Sequence, residues 1–217
     1  MTTPVMVDGR QISATISMAT SNPKSLRKVG PLYTDSRGFK ISDEGNLVIT
    51  EKATSAGPNA VMLWMVGKNK GGQIVTISFL EPVTKMVFGL SDINAGTDKN
   101  MGAYRDHIDF TGNKGTFTFA PAPGAKLVAD EESKQIYTTT APTHYCVTDD
   151  YMDTEGTVDV TWTAPRDDKG NVIPQTSISF LYYNSTEDAN YKVSDSVQVN
   201  SMIIFMAMKS VSTGTSC

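Results

Sequence analysis

The feature that most constrains this chain is a two-residue alternation of apolar and polar side chains that recurs from end to end. In "QISATISM", Ile12, Ala14, Ile16 and Met18 fall on one face of an extended backbone, and Gln11, Ser13, Thr15 and Ser17 on the other. Such a segment can bury one face only by joining a sheet. "NLVIT", "VMLWMVG", "QIVTISFLE", "PVTKMVFGL", "RDHIDF", "GTFTFA", "AKLVA", "GTVDVTWTA", "TSISFLYYN" and "SMIIFMAMKSV" follow, separated by Gly, Pro, Asn and Lys. About a dozen short strands at this spacing predict an all-β fold, an antiparallel sandwich of jelly-roll type. "KNKGGQ", between the third and fourth of these strands, reads as a hairpin turn.

Met202, Met206 and Met208, with Ile203, Ile204 and Phe205, make the last strand apolar on both faces, as a central strand would be. The one helical candidate, "VADEESKQIY", reads better as a polar loop. No repeat or Pro-rich linker divides the 217 residues, so one domain over 1–217 is expected, with flexible ends at 1–8 and 210–217.

Only 19% of the residues are charged, and the formal net charge of -4 leaves no basic face for a phosphate backbone. Nucleic acid is therefore not an expected partner. No apolar run approaches the ~20 residues of a membrane helix, so no membrane insertion is expected. Hydrolase elbows, zinc helices and phosphate loops are missing from the sequence, and the expectation is a protein that is not an enzyme. His107 reads as a surface or edge histidine whose side chain alternation turns away from Asp106.

The densest oxygen inventory lies in "FGLSDINAGTDKNMGAYRDHIDF". Asp92, Asn94, Asp98, Asn100, Asp106 and Asp109 supply the carboxylate and amide oxygens that calcium takes, on a loop containing Gly. They form a candidate calcium site, and no other cofactor is expected. The rival reading makes the same residues braces: Asp92 pairing with Arg105, or Asp106 accepting backbone amides, to pin strand ends at the rim.

"YCVTDDYMDTEG" is a second acidic loop, read as solvated. "YYNSTEDANY" presents Tyr182, Tyr183, Asn184 and Tyr191, read as exposed, as candidate ligand-binding residues able to stack on and hydrogen-bond a sugar. Cys146 and Cys217 are a candidate disulfide, whose long loop would stabilise the fold by about 4 kcal/mol in the chain-entropy picture.

"SFLEPVTKMVFGLSDIN", followed by "YRDHIDF" and "GTVDVTWTAP", resembles a β-sandwich ectodomain of sortase-anchored surface proteins of Gram-positive bacteria, actinobacterial ones especially. In that family a strand ending in FSxPV precedes FxLxDID; here Asn94 stands where the second Asp is usual. The start "MTTPVMVDGRQ" lacks the regions of a signal peptide and no sorting signal follows, so the resemblance implies an ectodomain taken from a longer chain. It further implies a secreted, cell-surface or cell-wall adhesion domain that is not catalytic and that binds a host surface ligand, glycan or protein. Covalent cross-links also occur in the family, which draws attention to Lys85 and to Cys146 with Gln175 or Gln198. Two other readings stand beside adhesion: a carbohydrate-binding module of a secreted hydrolase, and a structural stalk.

Overall fold

A computed structural model describes residues 2–7, 10–20, 33–34, 40–41, 47–49, 54–58, 60–66, 72–98, 102–138, 154–185 and 201–213, some of them by backbone alone. Among them there is no helix. The strands are β1 (Thr2–Val7), β2 (Arg10–Thr20), β3 (Tyr33–Thr34), β4 (Lys40–Ile41), β5 (Leu47–Ile49), β6 (Val61–Val66), β7 (Gly72–Val83) and β8 (Lys85–Ser91). Then come β9 (Ala95–Asp98), β10 (Gly102–Asp109), β11 (Thr116–Pro121), β12 (Leu127–Asp130), β13 (Gln135–Thr138), β14 (Val158–Thr163), β15 (Gln175–Asn184) and β16 (Ser201–Ser212).

They build two antiparallel layers of a sandwich. In one, β11, β14, β8 and β16 run in order, with β6 and β5 continuing beside β16. In the other, the order is β2, β7, β15, β10, β13 and β12, with β9 also on β10. β1 links the two, antiparallel to β2 and parallel to β16, where Val7 lies beside Val211. β16 is central, as its two-sided apolar sequence requires.

The alternation read from the sequence decides which side chains enter the core. On β10 Ile108 faces inward, and on β15 Ile178, Phe180 and Tyr182 do; all four are buried. Rings from the two layers meet in the middle: Phe88 of β8 lies 6.1 Å from Phe110 and 6.4 Å from Phe180. Phe110, just past β10, also stacks at 4.7 Å on Phe117 of β11. Trp162 is buried beneath them and donates its indole N–H to the Lys114 carbonyl at 2.9 Å, the partner a buried indole needs.

Two local expectations are revised. β6 and β7 are not hairpin partners: β6 pairs with β16 and β5, whereas β7 pairs with β15 and β2 in the other layer. Each strand already has a neighbour on both edges, β16 and β5 for β6, β15 and β2 for β7, so neither has an edge open to the other. The stretch read as a polar loop is β12, a turn at 131–134 and β13, paired antiparallel from Leu127–Thr138 to Asp130–Gln135. Lys134 takes φ of 55° there, and its ammonium donates to the carbonyls of Asn113 and Gly115 at 3.0 and 3.1 Å.

Candidate functional site

Where β8 ends, the chain must cross from one layer to the other, and Asp92–Ile93–Asn94 is the strap that does so. Asp92 adopts φ of 63°, a left-handed conformation that Asp tolerates better than most residues. Its Oδ1 accepts the Asn94 side-chain amide at 2.7 Å. Ile93 donates its N–H to the Gly156 carbonyl at 3.1 Å, and a Cβ on Gly156 would stand 2.6 Å from the Ile93 carbonyl oxygen. Only a glycine lets the strap lie this close.

Asp106 holds the strap from the other layer. Its Oδ2 accepts the Asn94 N–H at 2.9 Å, and its own N–H donates to the Asn94 carbonyl at 2.9 Å. Tyr182 donates its hydroxyl to Oδ1 at 2.8 Å. The bracing role, with Asp106 accepting a backbone amide, is therefore the one the geometry displays.

Asp106 and Asp109 are three apart on one strand, so they face opposite ways. The first is buried in the sandwich; the second, on the outer surface, accepts the Thr111 N–H at 2.7 Å. These two carboxylates cannot meet at one ion. The Asp98 side chain and Asn100 lie outside the described residues. Among the described residues no cluster of three or more His, Cys, Asp or Glu side chains assembles.

Tyr182 is not exposed, contrary to expectation: it is fully buried, because its position on β15 shares the inward face with Phe180. Its neighbour Tyr183 faces out, and Asn184 is described only by its pairing with Asp106 across β10 and β15. Tyr191, Cys146, Cys217, His144 and Gln198 lie outside the described residues. Lys85 is exposed at the first position of β8, and the Gln175 amide donates to the carbonyls of Ile173 and Pro174.

Burial pushes the Asp106 carboxyl well above the usual carboxylate range, against the Asn94 N–H and the Tyr182 hydroxyl, which favour its charged form. A carboxyl whose folded pKa is raised favours the fold below its unfolded pKa of about 4, and that contribution is lost as pH rises through the folded value. Asp106→Asn keeps the shape: the new amide can accept from Asn94 and donate to the Tyr182 oxygen. Urea unfolding at several pH values should show the variant gaining on the wild type as pH rises from about 4. A difference that stays flat with pH would contradict a buried, titrating Asp106.

On the outer face of the second layer, sequence reasoning missed an ordered row of side chains. Val128, Tyr137, His107, Tyr183 and Gly72 lie side by side on β12, β13, β10, β15 and β7. His107 is stacked between the two tyrosines, its ring centroid 4.9 Å from Tyr137 and 4.6 Å from Tyr183, with interplanar angles of 18° and 26°. These spacings are the separation of neighbouring strands. His107 is thus not an edge histidine; it sits on an interior strand, 9% exposed.

The next row carries the polar partners. Gln135 Oε1 lies 3.2 Å from His107 Nε2, and the Gln135 amide nitrogen is 3.5 Å from Asp109 Oδ2, at the long limit of a hydrogen bond. An amide oxygen only accepts, so this contact assigns the proton to His107 Nε2 and leaves Nδ1 as an acceptor. Burial holds His107 below the ordinary imidazole range, despite the Gln135 contact that favours its charged form, and raises Tyr183 above the ordinary phenol. Leu181 and the exposed Ile74 continue this second row across β15 and β7.

No family model matches the sequence, and no curated protein matches it. Among solved structures the chain is similar to the N-terminal domain of the Streptococcus gordonii adhesin Sgo0707, at 15% identity with a TM-score of 0.47. That alignment covers 94% of this chain and 44% of the other, so this chain spans less than half the length of the structure it matches.

Proposed function

We propose that this is a non-catalytic recognition domain of an extracellular surface protein, of the adhesion type, which holds a host-surface ligand on the outer face of β13, β10 and β15. The observation that carries the reading is the Tyr137–His107–Tyr183 row, three rings in register with Gln135 and Asp109 beside them. Rings that contribute little to the core but are held in one geometry by neighbouring strands suit recognition, since a rigid scaffold spares a binding site the cost of ordering. The cell-surface location rests on the sequence resemblance.

The rim loop that carries the candidate calcium residues has a bracing role in this reading, because Asp106 and Asn94 spend their polar atoms on each other and on Tyr182. Binding of the chain to host cells, and to immobilised glycans and matrix proteins, separates the two surfaces. Tyr183→Ala and Tyr137→Ala should each weaken binding about tenfold or more while the circular dichroism spectrum is unchanged. Asp106→Asn should leave binding intact. Folded row variants that bind like the wild type would sink the reading and favour a stalk.

A further inference from the structure

Resting on that reading of the outer face, we infer that His107 is a proton switch: the face holds its ligand while the ring is neutral and releases it when the ring takes a second proton. His107 is a positioning residue in this scheme, acting through the two tyrosines that it spaces. Its ring is clamped on both faces, with centroids 4.9 Å from Tyr137 and 4.6 Å from Tyr183. Nε2 gives its proton to Gln135 Oε1 at 3.2 Å, and the Gln135 amide nitrogen in turn faces Asp109 at 3.5 Å. This chain of contacts fixes the tautomer and leaves Nδ1 with no hydrogen-bond partner among the described residues.

A second proton on Nδ1 turns that acceptor into a donor and charges the ring. The new N–H lies in the ring plane, parallel to the tyrosine faces, and a tyrosine carries its one polar side-chain atom at the far tip of its ring. Water is the acceptor left to it, and a clamped ring that is 9% exposed meets little. The charge is therefore stabilised by tilting the ring out of the row or parting the tyrosines, and either change destroys the spacing that the ligand reads.

Neighbouring charges modify this cost without removing it. Among the described residues, Asp109 and Arg105 flank His107 on β10, Tyr137 and Gln135 face it from β13 and Tyr183 from β15, with Asp130 of β12 beside Gln135. β9 meets this strand at Arg105 through Ala95, and Asp106 turns into the core. Burial is the largest influence and holds His107 below the ordinary imidazole range; the Gln135 contact and Asp109 favour the charged form, and Arg105 opposes it. The sign follows: the ring is neutral at pH 7, and the charged form appears only as pH falls below about 6.5 and through the lower folded value. By linkage, a ligand that needs the intact row holds the proton off further.

The experiment titrates the whole chain with acid over the range in which its circular dichroism is unchanged. Magnetic resonance follows the His107 ring nitrogens and the cross-ring contacts to Tyr137 and Tyr183, and binding to fixed host cells is measured at the same pH values. The cross-ring contacts should fade at the His107 midpoint, below that of free imidazole, and binding should fall at least tenfold across it. His107→Phe keeps a ring between the tyrosines but cannot titrate; it should bind more weakly than the wild type and equally at every pH. Cross-ring contacts that persist at full strength once His107 is charged, a His107 that never titrates while the chain is folded, or an acid loss of the same size in His107→Phe would overturn the switch. Binding that Tyr183→Ala abolishes but acid leaves untouched would overturn the switch alone. Binding indifferent to Tyr137, His107 and Tyr183 would overturn the recognition face as well.

Discussion

Phe110→Ala should cost about 4 kcal/mol of folding stability, in the range for emptying a large aromatic from a well-packed core. Phe110 is fully buried, and its ring touches both layers: Phe88, Phe117 and Phe119 on one side at 6.1, 4.7 and 6.0 Å, Phe180 on the other at 5.3 Å. The cavity would open where four other rings converge, and strands fixed by their ladders cannot collapse into it. Each ring pair adds roughly 0.5–1.5 kcal/mol beyond the buried area. The midpoint of urea unfolding measures the loss, with the slope against urea confirming that the same surface is exposed. A loss below about 1 kcal/mol would mean the two layers are held together elsewhere.

Gly89→Val should be nearly as damaging, about 3 kcal/mol, the upper part of the usual cost of overpacking. Gly89 sits on β8 between Asp159 of β14 and Ala207 of β16, and a Cβ there would stand 2.2 Å from the Ala56 carbonyl oxygen. That oxygen belongs to a closed turn in which Thr54 and Gly57 exchange N–H to carbonyl bonds at 3.1 and 2.9 Å. The turn lies flat on the outer face of the first layer, with Ala56 fully buried. Thr157 anchors it further through a hydroxyl contact to Ser55 at 2.8 Å. Backbone meets backbone here, so no rotamer change relieves the clash and the turn must lift. An unfolding midpoint equal to that of the wild type would show that the turn does not rest on Gly89.

The sequence made most of the strands legible because alternation is a local property. Ile12, Ala14 and Ile16 alternate wherever β2 ends up in the sheet. Pairing is not local, which is why "KNKGGQ" suggested a hairpin between two strands that lie in different layers. Tyr182 and Tyr183 show the same limit. They are adjacent, so one had to face inward, but only the register of β15 on β10, with Tyr182 opposite Ile108, says which.

The bracing role of Asp106 could be framed beforehand, since a carboxylate beside an apolar strand end must find donors. The aromatic row could not, because Tyr137 lay in a stretch read as a loop and its neighbours are 30 and 46 positions away by the numbering of His107 and Tyr183. What could have signalled it is the pair His107 and Asp109, two polar residues in phase with each other and out of phase with the apolar Ile108 and Phe110.

The chain has only two histidines, His107 and His144, so its imidazole spectrum contains two spin systems and His107 can be assigned through a His144→Gln variant. Titrating histidine-labelled protein with the ligand pool released from host cell surfaces, and following the His107 ring nitrogens, tests the recognition face at its centre. The account predicts a saturable shift of the His107 signals that disappears in Tyr183→Ala. Saturating ligand that leaves the His107 ring unshifted would contradict it.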